Sequence, residues 1–389
     1  MVRDANDSVR VTNNCVRRPG GRSEGTAPMR KKVAIVGGGY GGVKAAKALD
    51  TDLDVVLIDP KDAFVHSAAA LRALVRPDWA DNIFFPYDTL MQNGSVVRDR
   101  AVGVDSRGVT LASGSRVDAD YVVLASGSAY AFPGKMHADA TDDALAALRR
   151  AHKELANADR VLILGAGPVG LELAGEIATT WPDKRVTIVD PAADLLPGFL
   201  PELVADLRQQ LDELGIELRL GSGLAADPEV APGVAEEFTV TDRAGEHITA
   251  DIWFRAHGSR IHTEFLAGAV PRNEAGQVKV TERLTVEGHD TIYALGDITD
   301  LLEAKMAGWA MRHAEVVAAN ITAHAKGEEP AAVYATLPVR VGLIPLGPAG
   351  GVGQFPNEQG AAFQVPRETV VRMKGAEMML GHFRELFNL

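Results

Sequence analysis

A single cysteine, Cys15, stands in the 389 residues. One thiol gives no intrachain disulfide, no C-x-x-C redox pair and no cysteine metal site. Basic residues are in deficit: 40 Lys and Arg face 52 Asp and Glu, a formal net charge of −12. That balance lacks the basic face a nucleic-acid partner needs. No uninterrupted apolar run reaches the ~18 residues that would suggest a membrane span. Residues 161–174 come nearest, and Glu172 and three glycines interrupt them. The ten histidines show no ligand spacing and read as solvated or core residues. Residues 1–28 lack apolar periodicity and an apolar signal core, and residue 2 is Val rather than Gly. They are expected to form a disordered tail that is neither a secretory signal nor a myristoylation site, with Met29 an alternative start. The expected location is the cytoplasm. Peripheral membrane contact and oligomeric state are left open.

Glycine, by contrast, occurs in a fixed pattern. Val33 to Val36 is a short β-branched run, as expected of a strand buried on both faces. Gly37, Gly39 and Gly42 follow at once in G-x-G-x-x-G spacing, then an Ala-rich helical stretch to Leu49. In such a unit the first glycine makes the tight turn. The second lets a pyrophosphate approach the backbone, and the third lets helix pack on strand. Val55 to Ile58 is the next buried strand, and Asp59 closes it where an acid would bind a ribose hydroxyl.

The pattern recurs. Gly165, Gly167 and Gly170 stand between the strand before them and a helix that ends at Trp181-Pro182, and Asp190 closes the strand after it. The interval from Asp59 to Gly127 equals that from Asp190 to Gly258. Gly127 and Gly258 each follow an apolar strand, so the chain holds an internal repeat of two nucleotide-binding units. Leu203, Leu207, Leu211 and Leu214 are at helical spacing, with Pro201 at the start and Gly215 at the stop. Thr291 to Leu295 reads as a buried strand ending in Gly296-Asp297. A long helix follows with Met306, Trp309, His313, Val317 and Asn320 at helical spacing, where His313 reads as a packing or capping residue. From pattern alone, Arg72 fits a solvated helix face, Glu172 a helix-surface acid and Lys305 a surface lysine. Residues 341–348 and 350–355 suit either an apolar channel or the core of a third domain.

Two glycine turns and a late Gly-Asp strand end resemble the two-dinucleotide-binding-domain flavoproteins, the class of glutathione reductase. KDAFVHSAAALRA, FPGK, VEGHDTIYALGD, Lys305-Met306-Ala307 and Gly351-Val352-Gly353-Gln354 are more specifically similar to the ferroptosis suppressor protein branch of the apoptosis-inducing-factor family. The resemblance implies an α/β chain with two tandem Rossmann-like domains and a small α+β C-terminal domain. FAD would take residues 29–135 and 266–325, NAD(H) residues 136–265, and the C-terminal domain residues 326–389. On the FAD side it implies contacts from Gly37, Gly38, Gly39, Tyr40, Gly41 and Gly42. It adds Asp59, Lys61, Arg72 and Val102, and the strand ends Ser126, Gly127 and Asp297. On the nicotinamide side it implies Gly165, Gly167, Gly170, Asp190 and Gly258. Glu172 would stand near the flavin–nicotinamide contact, and Lys305 with a helix N-terminus after Asp297 would offset negative charge on the flavin.

The implied activity is oxidation of NADH, with NADPH disfavoured because Asp190 repels a 2′-phosphate and Pro191 follows it. A quinone would be the acceptor. With no redox cysteine pair, electrons leave from the flavin itself. The alternatives are a reductase of ferredoxin- or rubredoxin-type carriers, and a redox-sensing module with little turnover.

Overall fold

Apolar runs with no polar alternation can only be stable as strands covered on both faces, and the chain builds two parallel sheets from them. The computed structural model describes residues 30–389 apart from Ala267 and Ala269; the expected tail over 1–28 lies outside the described residues. In the first sheet the order is Ile292–Ala294, Tyr121–Leu124, Lys32–Val36, Asp54–Ile58, Ser95–Val97, all parallel. In the second it is Ile252–Arg255, Arg160–Leu164, Arg185–Asp190, Ile216–Leu220, again all parallel. The repeat in the sequence is therefore a repeat in topology. The first sheet carries one strand more, Ile292–Ala294, brought back from beyond the second unit.

Each glycine turn runs straight into its helix. Tyr40–Leu49, capped by Gly39, starts three residues before the Ala-rich stretch from Val43 that signals it in the sequence. Pro168–Thr180 starts at Gly167, with Pro168 at the first position, where its missing N–H costs nothing. The helix expected after Asp297 begins instead at Ala307, capped by Met306 and running to Ala325; Asp297 lies in a single 3₁₀ turn, Gly296–Ile298. The chain passes between the two sheets at a short antiparallel pair, Ser128–Ala129 with Arg260–Ile261.

The last part is α+β. Gly342–Leu346, Gly350–Pro356 and Ala362–Gln364 form an antiparallel sheet, followed by Arg367–Val370, a π turn at Val371–Gly375 and the helix Leu380–Leu386. Of the two uses that 341–348 and 350–355 suited, the structure takes core packing: Ile344, Leu346 and Val352 are buried in one cluster with Ile163, Leu171 and Leu203. Gly175 explains the close fit, since a Cβ there would stand 2.6 Å from Leu346 Cα.

The third glycine of each turn is a packing residue. A Cβ on Gly42 would overlap the Gly37 carbonyl oxygen, and one on Gly170 the Gly165 carbonyl oxygen. Gly42→Ala and Gly170→Ala should each cost about 1–3 kcal/mol in urea unfolding, the usual range for overpacking. Unchanged unfolding midpoints would show that helix and strand can separate freely.

Candidate nucleotide and electron-transfer site

The two turns have the same geometry. Gly37 and Gly165 sit at φ +107° and +117°, a region closed to side chains. Their N–H groups donate to Ile58 O at 2.8 Å and Val189 O at 2.9 Å, tying each turn to the neighbouring strand. At Gly39 and Gly167, in contrast, a Cβ would meet nothing within 4 Å. Each of these open cradles lies at a helix N-terminus, where unpartnered N–H groups and the helix dipole favour an anion. Both turns thus fit a dinucleotide pyrophosphate.

The closing acids brace the turns, a role beyond the ribose contact expected of them. Asp59 accepts from the N–H of Gly38 at 2.6 Å and of Lys61 at 2.8 Å. Asp190 accepts from Ala166 N–H at 2.7 Å and Ala192 N–H at 2.8 Å. An ionised carboxylate has about four acceptor sites, so each keeps room for a ribose hydroxyl. Burial pushes the Asp59 carboxyl up, against the hydrogen bonds that pull it down. The Lys61 ammonium turns to the Met136 and Ala138 carbonyls at 3.1 and 2.6 Å. Lys61 also lines a cavity of about 500 Å³ with Tyr87 and Arg98. Val102, 48% exposed, sits at a bulge between Ala101 and Gly103 that frees its backbone from the ladder.

The first turn is backed by aromatic residues. Tyr87 donates its hydroxyl to Gly38 O at 2.9 Å, and a Cβ on Gly41 would run into the Leu295 side chain. The Tyr40 hydroxyl accepts from Ala68 N–H at 2.9 Å and donates to His66 Nδ1 at 3.0 Å. His66 Nε2–H then donates to Met378 O at 2.5 Å. Burial lowers His66 to about 4, so it stays neutral, and burial raises the Tyr40 hydroxyl.

Asp297 meets the domain crossing. Its Oδ2 accepts from the Ser128 hydroxyl at 2.5 Å and lies 3.5 Å from Lys135 Nζ, which also donates to Ser128 O at 2.6 Å. Ser126 Oγ donates to His262 O at 2.6 Å, and Gly127 O accepts His262 N–H at 3.0 Å. Gly127 and Gly258 both take positive φ, +64° and +81°. Lys305 donates to Thr299 O and Leu301 O at 2.8 and 3.1 Å. Burial lowers its pKa, and carbonyls of its own loop hold the ammonium.

The surface readings of Arg72 and Glu172 give way here. Arg72 is 1% exposed and Glu172 7%. Arg72 Nε bonds both Glu176 oxygens at 3.0 Å and Nη2 bonds Oε1 at 2.6 Å, while Nη1 donates to Ala376 O at 3.0 Å. Glu172 accepts from Lys374 Nζ at 2.7 Å. Burial pushes the Glu172 carboxyl up, and Lys374 pulls it back in part. Arg72 was expected at the cofactor; its guanidinium is committed to Glu176 and the C-terminal segment because the helix Ala70–Val75 packs on Pro168–Thr180. Sequence reasoning missed Lys374, Lys135 and His66. Only FPGK and KDAFVHS, motifs noted for other reasons, hold two of them.

The pyridine nucleotide-disulphide oxidoreductase family model matches residues 31–325. The chain belongs to that family. A ferroptosis suppressor protein 1 from Xenopus tropicalis is 33% identical over 339 residues, 83% of this chain and 88% of the relative. That of Mus musculus is 31% identical over 360 residues, 90% and 93% of the two chains. The sulfide:quinone oxidoreductase of the hyperthermophilic bacterium Aquifex aeolicus shares the fold at a TM-score of 0.71, with 18% identity and 92% of each chain covered. As a member of the pyridine nucleotide-disulphide oxidoreductase family, the protein is an FAD-dependent NAD(P)H oxidoreductase. No helix among the described residues is long and apolar enough to cross a membrane.

Arg72 and Glu176 offer a direct energetic test. Arg72→Met strands a buried carboxylate and should cost about 3–5 kcal/mol in unfolding experiments. Adding Glu176→Leu should recover most of that loss. A double variant as unstable as the sum of the two singles would deny the coupling.

Proposed function

We propose that the protein passes hydride from NADH to FAD and then delivers two electrons to a quinone. The observation that carries this reading is the pair of equivalent, open glycine turns in one chain, each braced by its own aspartate. When bound, FAD supplies the hydride-accepting ring; the protein's part is positioning and charge. The Gly37–Gly42 turn would take the FAD pyrophosphate, Asp59 the adenosine ribose, and the backbone at the Val102 bulge the adenine side. Asp297, paired with Ser128 and near Lys135, would meet the ribityl region without presenting a bare negative charge to the pyrophosphate.

On the second turn, Asp190 selects NADH. It accepts a 2′-hydroxyl but faces a 2′-phosphate with like charge, which can cost several kcal/mol. Pro191 and Ala192 follow it, and Arg185 is at the far end of the same strand, so none of these three offers a cation to the phosphate. Glu172 and Lys374 hold a proton on Nζ next to a buried carboxylate, two residues past Gly170. Quinone reduction consumes a hydride equivalent and a proton, and this pair would be a proton source beside the second turn.

The quinone is favoured over a carrier protein by charge. A ferredoxin docks through an acidic face and calls for a basic patch, whereas this chain has net charge −12. Its sequence also has no cysteine pair to receive the electrons.

Gly39→Val fills the first cradle and should yield a colourless protein. Gly167→Val should stay yellow yet fail to bleach with NADH. Identical behaviour of the two would reverse or erase the domain assignment. In steady state, kcat/KM should be larger for NADH than for NADPH. Oxidation should run much faster with a soluble benzoquinone than with oxygen alone, with little effect of salt because no charged protein docks. A rate that needs a ferredoxin and collapses in salt would favour the carrier reductase, and negligible turnover with every acceptor would favour the sensing module.

A further inference from the structure

A chain of buried polar residues outside both glycine turns ends on the turn that carries Asp297. The Gly296 N–H donates to His313 Nδ1 at 3.0 Å. With Nδ1 the acceptor, Nε2 carries the imidazole proton and donates it to Glu303 Oε1 at 2.8 Å. The other oxygen of Glu303 accepts from the Tyr334 hydroxyl at 2.7 Å. The Tyr334 ring stands edge-on to the imidazole at 4.3 Å and 85°. His313 is 1% exposed. Burial pushes the Glu303 carboxyl up, and the bonds from His313 and Tyr334 outweigh it, so the group lies below its ordinary value and stays charged.

Three separate segments converge on one N–H. His313 comes from the helix Ala307–Ala325, Glu303 from the loop before it, and Tyr334 from the strap after it. The strap is itself fixed, because Asn320 Oδ1 accepts Ala332 N–H and its Nδ2 donates to Ala332 O, both at 2.9 Å. Gly296 has a positive φ of +74°, so the backbone leaves the strand direction there. The far end of the turn is held by Val278 N–H on Ile298 O at 2.7 Å and by the Thr299 hydroxyl on Gly296 O at 2.9 Å, while its opening N–H is held by His313. On the far side of the turn, Asp297 reaches Ser128 at the domain crossing.

We propose that His313, Glu303 and Tyr334 are positioning residues for Asp297, and that through it they set how tightly the protein holds FAD. The proposal rests on the reading that Asp297 faces the FAD ribityl region. An apolar residue in place of His313 leaves the Gly296 N–H buried without its partner and the Glu303 carboxylate with the Tyr334 hydroxyl but no imidazole. The turn then loses its alignment, and Asp297 leaves the position from which it reaches both Ser128 and the cofactor.

The test follows flavin release from the holoprotein on dilution, read as recovery of FAD fluorescence. His313→Leu is expected to weaken FAD retention roughly tenfold or more, the equivalent of one buried group left unpaired. His313→Gln, whose side-chain amide can accept from Gly296 and donate to Glu303, should restore most of the retention. His313→Leu added to Asp297→Asn should change little beyond Asp297→Asn alone, since both act through one contact. Wild-type retention in a His313→Leu protein of lowered melting temperature would overturn the proposal, and so would full additivity. If Asp297→Asn leaves FAD retention unchanged, the reading of Asp297 itself falls and the proposal with it. Should His313→Leu fail to fold, Tyr334→Phe removes a single hydroxyl and should still loosen FAD several-fold; no change would count against the proposal.

Discussion

Two carboxylates on one face of one helix, Glu172 and Glu176, shape the way the rest of the protein is assembled. They stand one turn apart, repel each other, and are both buried. A buried charge left alone is among the most costly features a fold can contain, so each must find a cation. Neither cation is local. Arg72 comes from a helix in the first half, and Lys374 from a π turn near the C-terminus. Three distant parts of the chain therefore have to meet at the helix that begins on the second glycine turn. Such a cluster adds little net stability, because desolvation offsets the attraction. Its effect is to make one arrangement of the three parts acceptable and the alternatives costly.

The C-terminal segment shows that constraint at work. Within a few residues of Lys374, the Ala376 carbonyl accepts from Arg72 and the Met378 carbonyl from His66. Met378 and Met379 are both left-handed, at φ +49° and +60°, which is unfavourable for side-chain-bearing residues. Hydrogen bonds from both sides, and the Phe383 ring 4.3 Å from His66, hold this strained pair in place. The same imidazole reaches Tyr40 at the first glycine turn, so hydrogen bonds tie the turn to the C-terminal segment.

What was legible in the sequence was local. A strand buried on both faces needs an apolar run, a tight turn needs glycine, and a helix on top of it needs small residues; each requirement leaves its mark within a few positions. The helix at Tyr40 began earlier than the Ala-rich stretch suggested because glycines are weak helix formers and hide the first turn. His313 was expected to pack or to cap, and its place inside the helix did not reveal that it accepts the Gly296 N–H. Pairings such as Glu172 with Lys374, or Asp297 with Lys135, join positions far apart and leave no spacing signature. Lys305 shows the converse limit. From pattern it read as a surface lysine and the resemblance set it by the flavin; neither showed that it donates to the Thr299 and Leu301 carbonyls of its own loop.

The two halves share a turn geometry but differ in what surrounds it, and the difference suits the cofactor assignment proposed above. A group held through every turnover needs contacts from several directions, while one that leaves each cycle needs an open approach. The first sheet gains a fifth strand, Ile292–Ala294, whose only connection to the glycine turn is spatial. That strand delivers Gly296 and Asp297 to the crossing at Ser128, and the 307–325 helix covers its far side. The second sheet has four strands and receives no such addition among the described residues. Its turn is backed instead by the Glu172–Lys374 pair, a contact between side chains that can reorient without unpairing a strand. Two units alike in their turns thus become unequal through one returning strand, and on the proposed assignment that inequality would separate a site that retains its nucleotide from one that exchanges it.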